Sequence, residues 1–301
     1  MSEFSSKTFN AKLYSVSRPN YPKSLYSYLL KYHQLKNTQR SSSPSFLIDV
    51  GCGPGTATLQ MCQHFHTNFN SMLGVDTSEV MIKQAQNNNT QYPNLSFKVA
   101  GATALSKVVP LAHSVDMITA AQCAHWFLPF GDFLKEVKKC LRPRTGTLAI
   151  WGYIDPRFVD YPELDTLLYE LDRAKNQFGP FWQEPGRQIL RDLLDAQKIN
   201  PDIFYDIQEL KYTIQDYRRD ISNPANHKNS PFVLTKEMSL LDFRNYIYTW
   251  SAAHKRQQVL GDTDQIVANF FDQIFHKVPS LTMNSRVKVL WNTVYKLARA
   301  K

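Results

Sequence analysis

The chain has 301 residues, of which 43% are hydrophobic, 13% aromatic and 20% charged. This is the composition of a globular protein with enough apolar surface for a large core, and it excludes an intrinsically disordered chain. The net charge of +9 leaves three kinds of partner open: a nucleic acid, a membrane surface or a small anionic molecule. Because lysines and arginines are dispersed along the chain, a solvated basic surface is an equally good interpretation.

The cysteines and the hydropathy of the chain indicate the compartment in which we expect the protein. Cys52, Cys62, Cys123 and Cys140 form no CxxC pair, and no histidine joins them at a zinc-binding spacing, so we expect reduced thiols and no metal site. The first residues contain no apolar run of the signal-peptide type, and no segment reaches the roughly 18 apolar residues that would span a bilayer. We therefore expect a soluble cytoplasmic protein with no membrane partner. We also expect a monomer, although these observations do not bear on the oligomeric state.

The hydrophobic pattern predicts alternating strands and helices from about residue 46 to residue 153. A helix is expected over residues 24–35, and the segment before it, LYSVSRPNYP, is expected to be irregular because it contains two prolines. This alternation predicts a doubly wound α/β fold with a mostly parallel sheet. The expected strands are FLIDV, SMLGVD, LSFKVA, SVDMITAAQ and TLAIWGY, with helices at TATLQMCQHF, TSEVMIKQAQNN and FGDFLKEVKKCL.

The pattern changes after residue 153. The next segment is predicted to be mainly helical, with an aromatic centre broken by glycine and proline at residues 178–187. FYDIQELKYTIQ alternates like a strand, SLLDFRNYIYTWSAAHK favours a helix, and RVKVLWNTVYKLA predicts a late antiparallel strand.

The turn after the first strand points to a ligand. Gly51, Gly53 and Gly55 give G-x-G-x-G, a backbone that can turn sharply and approach a ligand closely. Nicotinamide and flavin binders use G-x-G-x-x-G instead, and Asp49 before the turn suits a cationic ligand better than a pyrophosphate. Asp76 ends the second strand, where an acid can accept hydrogen bonds from ribose hydroxyls. The pattern indicates a nucleoside cofactor, with a tight turn that binds nothing as the alternative.

Two of these segments carry a resemblance to a known family. LIDVGCGPGTATLQ resembles motif I of the class I S-adenosylmethionine-dependent methyltransferases, and GVDTS resembles their acidic motif on strand two. YSVSRPNYP, CAHWF, AIWGY, GPFWQEPGR and TWSAAHK, in that order, resemble the yeast trans-aconitate methyltransferases over nearly the whole chain. The resemblance implies a seven-stranded sheet with one antiparallel strand. It also implies S-adenosylmethionine as cofactor and methyl transfer to a carboxylate of trans-aconitate or a related acid such as 3-isopropylmalate.

The resemblance also implies a cofactor site. Asp49 and the backbone of Gly51 would bind the methionine end of the cofactor, and Asp76 would bind the ribose. Adenine would meet the loop AGATAL, which carries no acid and leaves Thr103 or a backbone carbonyl for the adenine amine. The segment around residues 14–18 would form a lid over the cofactor. The predicted cofactor-binding residues are Tyr14, Arg18, Asp49, Gly51, Gly53, Asp76, Thr103 and Gln122.

The predicted chemistry needs residues that position the ligands, and the sequence singles out no residue as catalytic. A carboxylate is already ionised at pH 7, so an in-line displacement requires no general base. His125 can donate to an acceptor carboxylate and Trp126 can wall the site, although each could equally be a core residue. An arginine offers a bidentate fork to a carboxylate, with a solvated surface arginine as the alternative. The predicted acceptor-binding residues are Arg18, His125, Trp151, Tyr153, Arg187 and Trp250.

Three other interpretations stay open. A nucleic-acid methyltransferase would fit the positive charge, but the chain has AAQCAHWF where enzymes that methylate base amines carry Asn/Asp-Pro-Pro-aromatic, and no proline precedes Cys123. A binding module without turnover and an enzyme for another small acceptor, such as a dicarboxylic toxin, are the others. We expect a small anionic acid and no nucleic acid as partner. One compact domain would comprise a lid and helix over residues 1–40, a cofactor-binding core over 41–153 and a substrate-binding insertion over 154–301.

Overall fold

The computed structural model describes residues 10–35, 45–223 and 228–301. Residues 1–9 and 36–40 of the predicted lid segment lie outside the described residues. The strands are β1 Phe46–Val50, β2 Ser71–Asp76, β3 Leu95–Val99, β4 Met117–Ala121, β5 Thr147–Phe158, β6 Phe204–Tyr212, β7 Leu234–Ser239 and β8 Arg286–Ala300. The helices are α1 Ala11–Ser17, α2 Lys23–Gln34, α3 Thr56–Phe65, α4 Glu79–Asn88, α5 Phe130–Cys140, α6 Asp165–Arg173, α7 Gly186–Arg191, α8 Ile214–Ser222, α9 Leu240–Tyr248, α10 Ser251–Leu260 and α11 Thr263–Lys277.

The strands form one twisted sheet in the order β3-β2-β1-β4-β5-β8-β6. β1 to β5 pair in parallel, and β8 runs antiparallel to its neighbours β5 and β6. This confirms the predicted doubly wound α/β fold with a seven-stranded, mostly parallel sheet. Strand β7 pairs antiparallel with the first part of β8 and was not among the predicted strands.

Helices cover both faces of the sheet because each carries an apolar stripe. Leu29 of α2 and Met61 of α3 are fully buried in a cluster that includes Leu47 of β1. The next residue of β1, Ile48, belongs to a second cluster with Phe133 of α5, as the alternation of a strand requires. With both faces covered, the rim at the carboxyl ends of the parallel strands is where a ligand can enter.

The N-terminal segment differs from its prediction. Residues 11–17 are helical rather than irregular, and the Asn10 side chain caps the helix by accepting a hydrogen bond from the Leu13 N–H at 2.8 Å. Pro19 follows the last helical turn, so it limits the length of α1 and does not prevent it. The predicted helix SLLDFRNYIYTWSAAHK is likewise two helices, α9 and α10, separated at Thr249 and Trp250.

Strand β5 continues past the predicted boundary at residue 153. It reaches Phe158 and pairs with β8 along its whole length, with a bulge between Ile154 and Pro156. Residues 154–158 are therefore part of the central sheet, and the segment after them supplies β6, β7 and β8. Within the described ranges, no helix combines the length and apolar character needed to cross a membrane.

Candidate active site

The glycine turn after β1 adopts the left-handed backbone that its composition predicts. The φ angles of Gly51, Gly53 and Gly55 are +66°, +54° and +84°. A Cβ on Gly51 would lie 2.7 Å from Cβ of Cys123, so the turn packs directly against the segment after β4. A Cβ on Gly53 would meet no heavy atom within 4 Å, although Gly53 lines a crevice. The bare backbone at Gly53 therefore leaves room for a ligand.

A solvent-open crevice of about 1070 Å³ lies over this turn and the ends of β2 and β4. Asp76 lines it, with Oδ2 accepting from the Gly53 N–H and Oδ1 accepting from the Ser78 N–H, both at 2.9 Å. Burial raises the pKa of the Asp76 carboxyl, and these backbone N–H groups oppose that shift. Each carboxylate oxygen keeps a further lone pair, so Asp76 can also accept from two ligand hydroxyls.

The loop after β3 corrects one predicted contact. Thr103 is exposed and does not line the crevice, whereas Ala100 and Ala102, which precede it, do. Met81 of α4 adds an apolar surface to the same part of the crevice. An alanine offers only backbone polar atoms, so a base bound here would meet main-chain groups and an apolar side chain instead of the Thr103 hydroxyl.

Asp49 also differs from its predicted role. It is fully buried beneath the glycine turn and does not line the crevice. Its Oδ2 accepts from the Thr58 hydroxyl at 2.6 Å and its Oδ1 from the Thr119 hydroxyl at 2.7 Å. Burial raises the pKa of Asp49 to about 6 despite these two hydrogen bonds. The carboxylate therefore ties β1 to α3 and β4 and holds the turn, without touching a ligand in the crevice.

Gln122 forms part of a wall between two cavities. Its φ of +58° directs the chain sharply out of β4. Its Nε2 donates to the Tyr153 carbonyl at 2.8 Å, and its Oε1 accepts from the Tyr153 N–H at 2.7 Å. Because this amide is paired twice with the backbone of β5, Gln122 fixes the spacing of the two strand ends and lines the cavities on both sides.

The second cavity is a chamber of about 650 Å³ that we call the acceptor chamber. It adjoins the crevice, since both cavities share Tyr14, Arg18, Gln122, Trp126 and Tyr153. The remaining residues of the acceptor chamber are His125, Ile154, Asp155, Pro156, Trp182, Gln183, Arg187, Leu190, Tyr246, Trp250 and Ser251. Molecules held in the two cavities would therefore lie next to each other beside these five shared residues.

Arg18 occupies the boundary of the two cavities. Its guanidinium carbon lies 4.7 Å from the ring centroid of Tyr14 and 5.1 Å from that of Tyr246. Nη2 donates to the Thr249 carbonyl at 2.9 Å, while the buried Nε has no hydrogen-bond partner. The helix α1 thus delivers a cation with a spare donor to the wall.

Arg187 supplies a second cation from the start of α7. Its guanidinium carbon lies 3.7 Å from the ring centroid of Trp182, and it forms an ion pair with Asp172. Asp172 also pairs with Arg191 at 2.9 Å, so one buried carboxylate serves more than one arginine. The Nε of Arg187 is buried without a partner. A positive charge and a spare donor therefore remain beside the acceptor chamber.

His125 lies in a short 3₁₀ turn after β4, in contact with the Trp126 ring at a centroid distance of 4.7 Å. It is only 5% exposed. Burial and the positive charge of Arg187 lower the pKa of His125 to about 3, so the imidazole is neutral at physiological pH. Its Nδ1 is buried with no hydrogen-bond partner in the described chain. His125 can thus donate a hydrogen bond but is a poor proton acceptor.

Of the predicted aromatic residues, Trp151 does not line the acceptor chamber. Tyr153 and Trp250 line the acceptor chamber, but Trp151 is fully buried and packs edge-on against Tyr21 and Tyr26, at centroid distances of 5.8 and 6.4 Å. The two β5 residues share a face because they are two positions apart, yet Trp151 lies deeper in the sheet. Only the residue nearer the carboxyl edge reaches the cavity.

Some chamber residues were missed. Asp155 follows the predicted fifth strand, and a polar residue at the carboxyl end of a central strand could have been selected on that ground. Tyr246 lies on the buried side of α9. No local sequence signal separates it from ordinary core aromatics, because only tertiary packing brings α9 against Arg18.

Comparison with known proteins agrees with this geometry. A family model described as a methyltransferase domain matches residues 47–144. CRG1 of Saccharomyces cerevisiae, named a probable S-adenosylmethionine-dependent methyltransferase, is 28% identical over 301 residues, covering 98% of this chain and 97% of its own. The chain is an S-adenosylmethionine-dependent methyltransferase. Its cofactor is S-adenosylmethionine, and the bare turn at Gly53 and the carboxylate of Asp76 fit an amino-acid nucleoside in the crevice.

Other relatives of the methyltransferase match less of it. A trans-aconitate 2-methyltransferase of Deinococcus radiodurans is 27% identical over 131 residues, which are 40% of this chain and 46% of the relative. A solved structure of a candidate type II methyltransferase from Anaeromyxobacter dehalogenans superposes with a TM-score of 0.64 at 21% identity, covering 94% of this chain and 97% of the other. That similarity shows the shared fold alone.

Proposed function

We propose that the methyltransferase converts one carboxylate of a small polycarboxylic acid into its methyl ester, with trans-aconitate or a related acid such as 3-isopropylmalate as first candidates. One observation carries the proposal. Arg18 Nε, Arg187 Nε and His125 Nδ1 are buried, lack hydrogen-bond partners and belong to residues that line the acceptor chamber. A buried polar group without a partner costs about 1–3 kcal/mol, and an acid with several carboxylate oxygens offers acceptors for such groups.

The electrostatics support an anionic acceptor. Arg18 and Arg187 face the acceptor chamber, and His125 is neutral, with a pKa lowered to about 3. A general base with that pKa would be inefficient near neutral pH, but an ionised carboxylate needs none. The residues of this chamber therefore suit orientation and water exclusion rather than proton abstraction.

We assign the cofactor to the crevice. The backbone of Gly51 and Gly53 would hold its methionine end, and Asp76 its ribose, with Asp49 acting through the shape of the turn. Bound there, S-adenosylmethionine supplies an electrophilic methyl group on a positively charged sulfur. Tyr14, Arg18 and Gln122 line both cavities and would keep the two ligands in line.

The relatives add a second line of support. Trans-aconitate 2-methyltransferases of Deinococcus radiodurans and Methylobacterium radiotolerans are among the proteins that the chain resembles. The resemblance covers 40% of this chain for the first relative and 55% for the second, and it supports a carboxylic acid as the class of acceptor. The division into lid, core and insertion and the monomeric state stay predictions.

The test is methyl transfer from labelled S-adenosylmethionine to a panel of di- and tricarboxylic acids. We expect a base-labile methyl ester, identified by mass spectrometry, from at least one free acid. The fully amidated form of the same acid is the matched control and should accept no label. Label that appears only on an amine, or only on added RNA, would refute a carboxyl acceptor, the RNA arm being included because of the net charge of +9.

A further inference from the structure

Asp155 is the one acidic residue that lines the acceptor chamber within the described chain. It is the unpaired residue of the bulge in β5, between Ile154 and Pro156, and its φ of +49° places it in the left-handed region. Aspartate tolerates this conformation better than most residues. Asp155 thus brings an acidic residue to a chamber whose other polar lining residues carry cationic, imidazole, amide, hydroxyl or indole groups.

The Asp155 carboxylate is only partly used by the protein. Its Oδ2 accepts from Arg173 Nη2 at 3.3 Å, whereas Oδ1 takes part in no hydrogen bond with the described residues. The side chain is 11% exposed, so bulk water reaches it poorly. Arg173 is shared with Asp172 at 3.6 Å and does not belong to Asp155 alone. One oxygen of Asp155 is therefore left to accept a hydrogen bond from a ligand.

An acceptor with carboxylates alone would suit this position poorly. Its negative groups can pair with Arg18 and Arg187, but any group that approaches Asp155 must be a hydrogen-bond donor, because two carboxylates repel each other. A hydroxyl satisfies this condition without adding charge. An ammonium group satisfies it too, but it would bring a third cation into a chamber already lined by two.

We propose that Asp155 selects acceptors that carry a hydroxyl next to their carboxylates, by accepting a hydrogen bond from that hydroxyl. This inference rests on the proposed function and narrows it. Among its two first candidates it favours the hydroxy acid 3-isopropylmalate over trans-aconitate, which has no hydroxyl. Asp155 is a specificity residue in this scheme and takes no part in the methyl transfer itself.

Asp155→Asn is the informative variant. Asparagine also tolerates a positive φ, and its carbonyl oxygen can keep the bond to Arg173, so the bulge should survive. Asp165→Asn is the matched control. Asp165 pairs with Arg218 at 3.1 Å, has a partly buried side chain and does not line the acceptor chamber.

The experiment is calorimetric titration of the full chain, saturated with S-adenosylhomocysteine, with 3-isopropylmalate and with isopropylsuccinate, which lacks only the hydroxyl. Malate, succinate and aspartate form a second series. We expect the hydroxy acid to bind roughly tenfold more tightly than its deoxy analogue, as for a hydrogen bond to a charged acceptor. Asp155→Asn should reduce that ratio to within about threefold, and Asp165→Asn should retain it.

Four results would overturn the inference: equal affinity of wild type for the hydroxy and deoxy acids, equal loss of discrimination in both variants, tighter binding of aspartate than of malate, or no binding of any acid. The last result would overturn the proposed function as well. Discrimination by Asp155 without methyl transfer to any acid would refute the proposed function, and with it the role of Asp155 in choosing an acceptor, and would leave only its recognition of a ligand hydroxyl.

Discussion

The crevice and the acceptor chamber are built in opposite ways. The crevice is largely made by one strand–turn–helix unit, β1 to α3, together with the ends of β2 and β4, and much of it is backbone or small side chains. The acceptor chamber collects charged and aromatic side chains from α1, β5, α7 and α9. Local backbone geometry therefore makes the cofactor site, whereas long-range packing makes the acceptor site. Changes in the two regions should separate the two kinds of binding.

The largest expected effect is in the turn. Gly51→Ala would force a Cβ to within 2.7 Å of Cys123 at a φ of +66°, so we expect a loss of about 3 kcal/mol of unfolding free energy and of measurable cofactor binding. Gly53→Ala is the matched control, because it shares the positive φ but meets no protein atom. Gly53→Ala should lower the free energy of unfolding by about 1 kcal/mol and should still weaken cofactor binding. Denaturant unfolding and calorimetry would measure both, and equal stability losses would contradict the packing argument.

Next in size is the loss of an acceptor anchor. Arg187→Ala should raise KM for the acid about 100-fold, because a charge-assisted bond to a carboxylate is lost, and should leave cofactor affinity unchanged. Arg191→Ala is the control, since Arg191 pairs with the same Asp172 but does not line the acceptor chamber. Steady-state kinetics would decide. An equal rise of KM in both variants would show that the ion-pair cluster, rather than Arg187, governs binding.

A substitution at Asp76, in the crevice, should have the opposite pattern and affect cofactor binding rather than acid binding. Asp76→Ala should weaken S-adenosylmethionine binding by about 1–3 kcal/mol, because bonds from ligand hydroxyls to a charged acceptor are lost. KM for the acid, measured at saturating cofactor, should not change. The variant also loses the contacts to Gly53 and Ser78, so its folding should be checked by unfolding in the same buffer. Unchanged cofactor affinity would remove Asp76 from the site.

The smallest effect compares two buried histidines. The pKa of His125 is lowered to about 3 and that of His33 to about 4, both first by burial. A base with a lowered pKa in the fold contributes stability that is complete above its unfolded pKa of about 6.5 and is lost as pH falls toward the folded value. As pH falls from 7.5 to 5.5, each histidine should lower the wild type's free energy of unfolding by about 1 kcal/mol.

Replacing either histidine by asparagine should remove its share of that pH dependence in urea unfolding. Only His125→Asn should also weaken acid binding, because His33 bonds to Thr147 outside both cavities. If the wild type and both variants lost the same stability over this pH range, the histidines would not be buried as described. A loss of acid binding in His33→Asn would remove the distinction between the two sites.

Much of the cofactor half could be predicted from sequence, because its residues act close together along the chain. The G-x-G-x-G turn and Asp76 lie where the pattern placed them. The differences there concern depth: Asp49 is buried below the turn, and Thr103 is exposed and does not line the crevice. Periodicity assigns a residue to an element, but the depth of a side chain depends on what packs above it.

The acceptor half was predicted less completely. Arg18, His125, Tyr153, Arg187 and Trp250 do line one chamber, yet Trp151 does not, and Tyr246 and Asp155 were not singled out. These residues are separated by up to 232 positions along the chain. Their proximity depends on how α1, α7 and α9 settle on the sheet edge, which no local spacing encodes.

By itself the sequence determined the fold class, the order of the first five strands and the left-handed glycine turn, since each follows from periodicity or from the absence of a Cβ. Only the tertiary structure decided which side chains share the acceptor chamber, which donors there lack partners and that Asp155, in the bulge of β5, lines it. Those properties are set by packing between distant segments, where burial and the neighbouring charges determine what a side chain can bind.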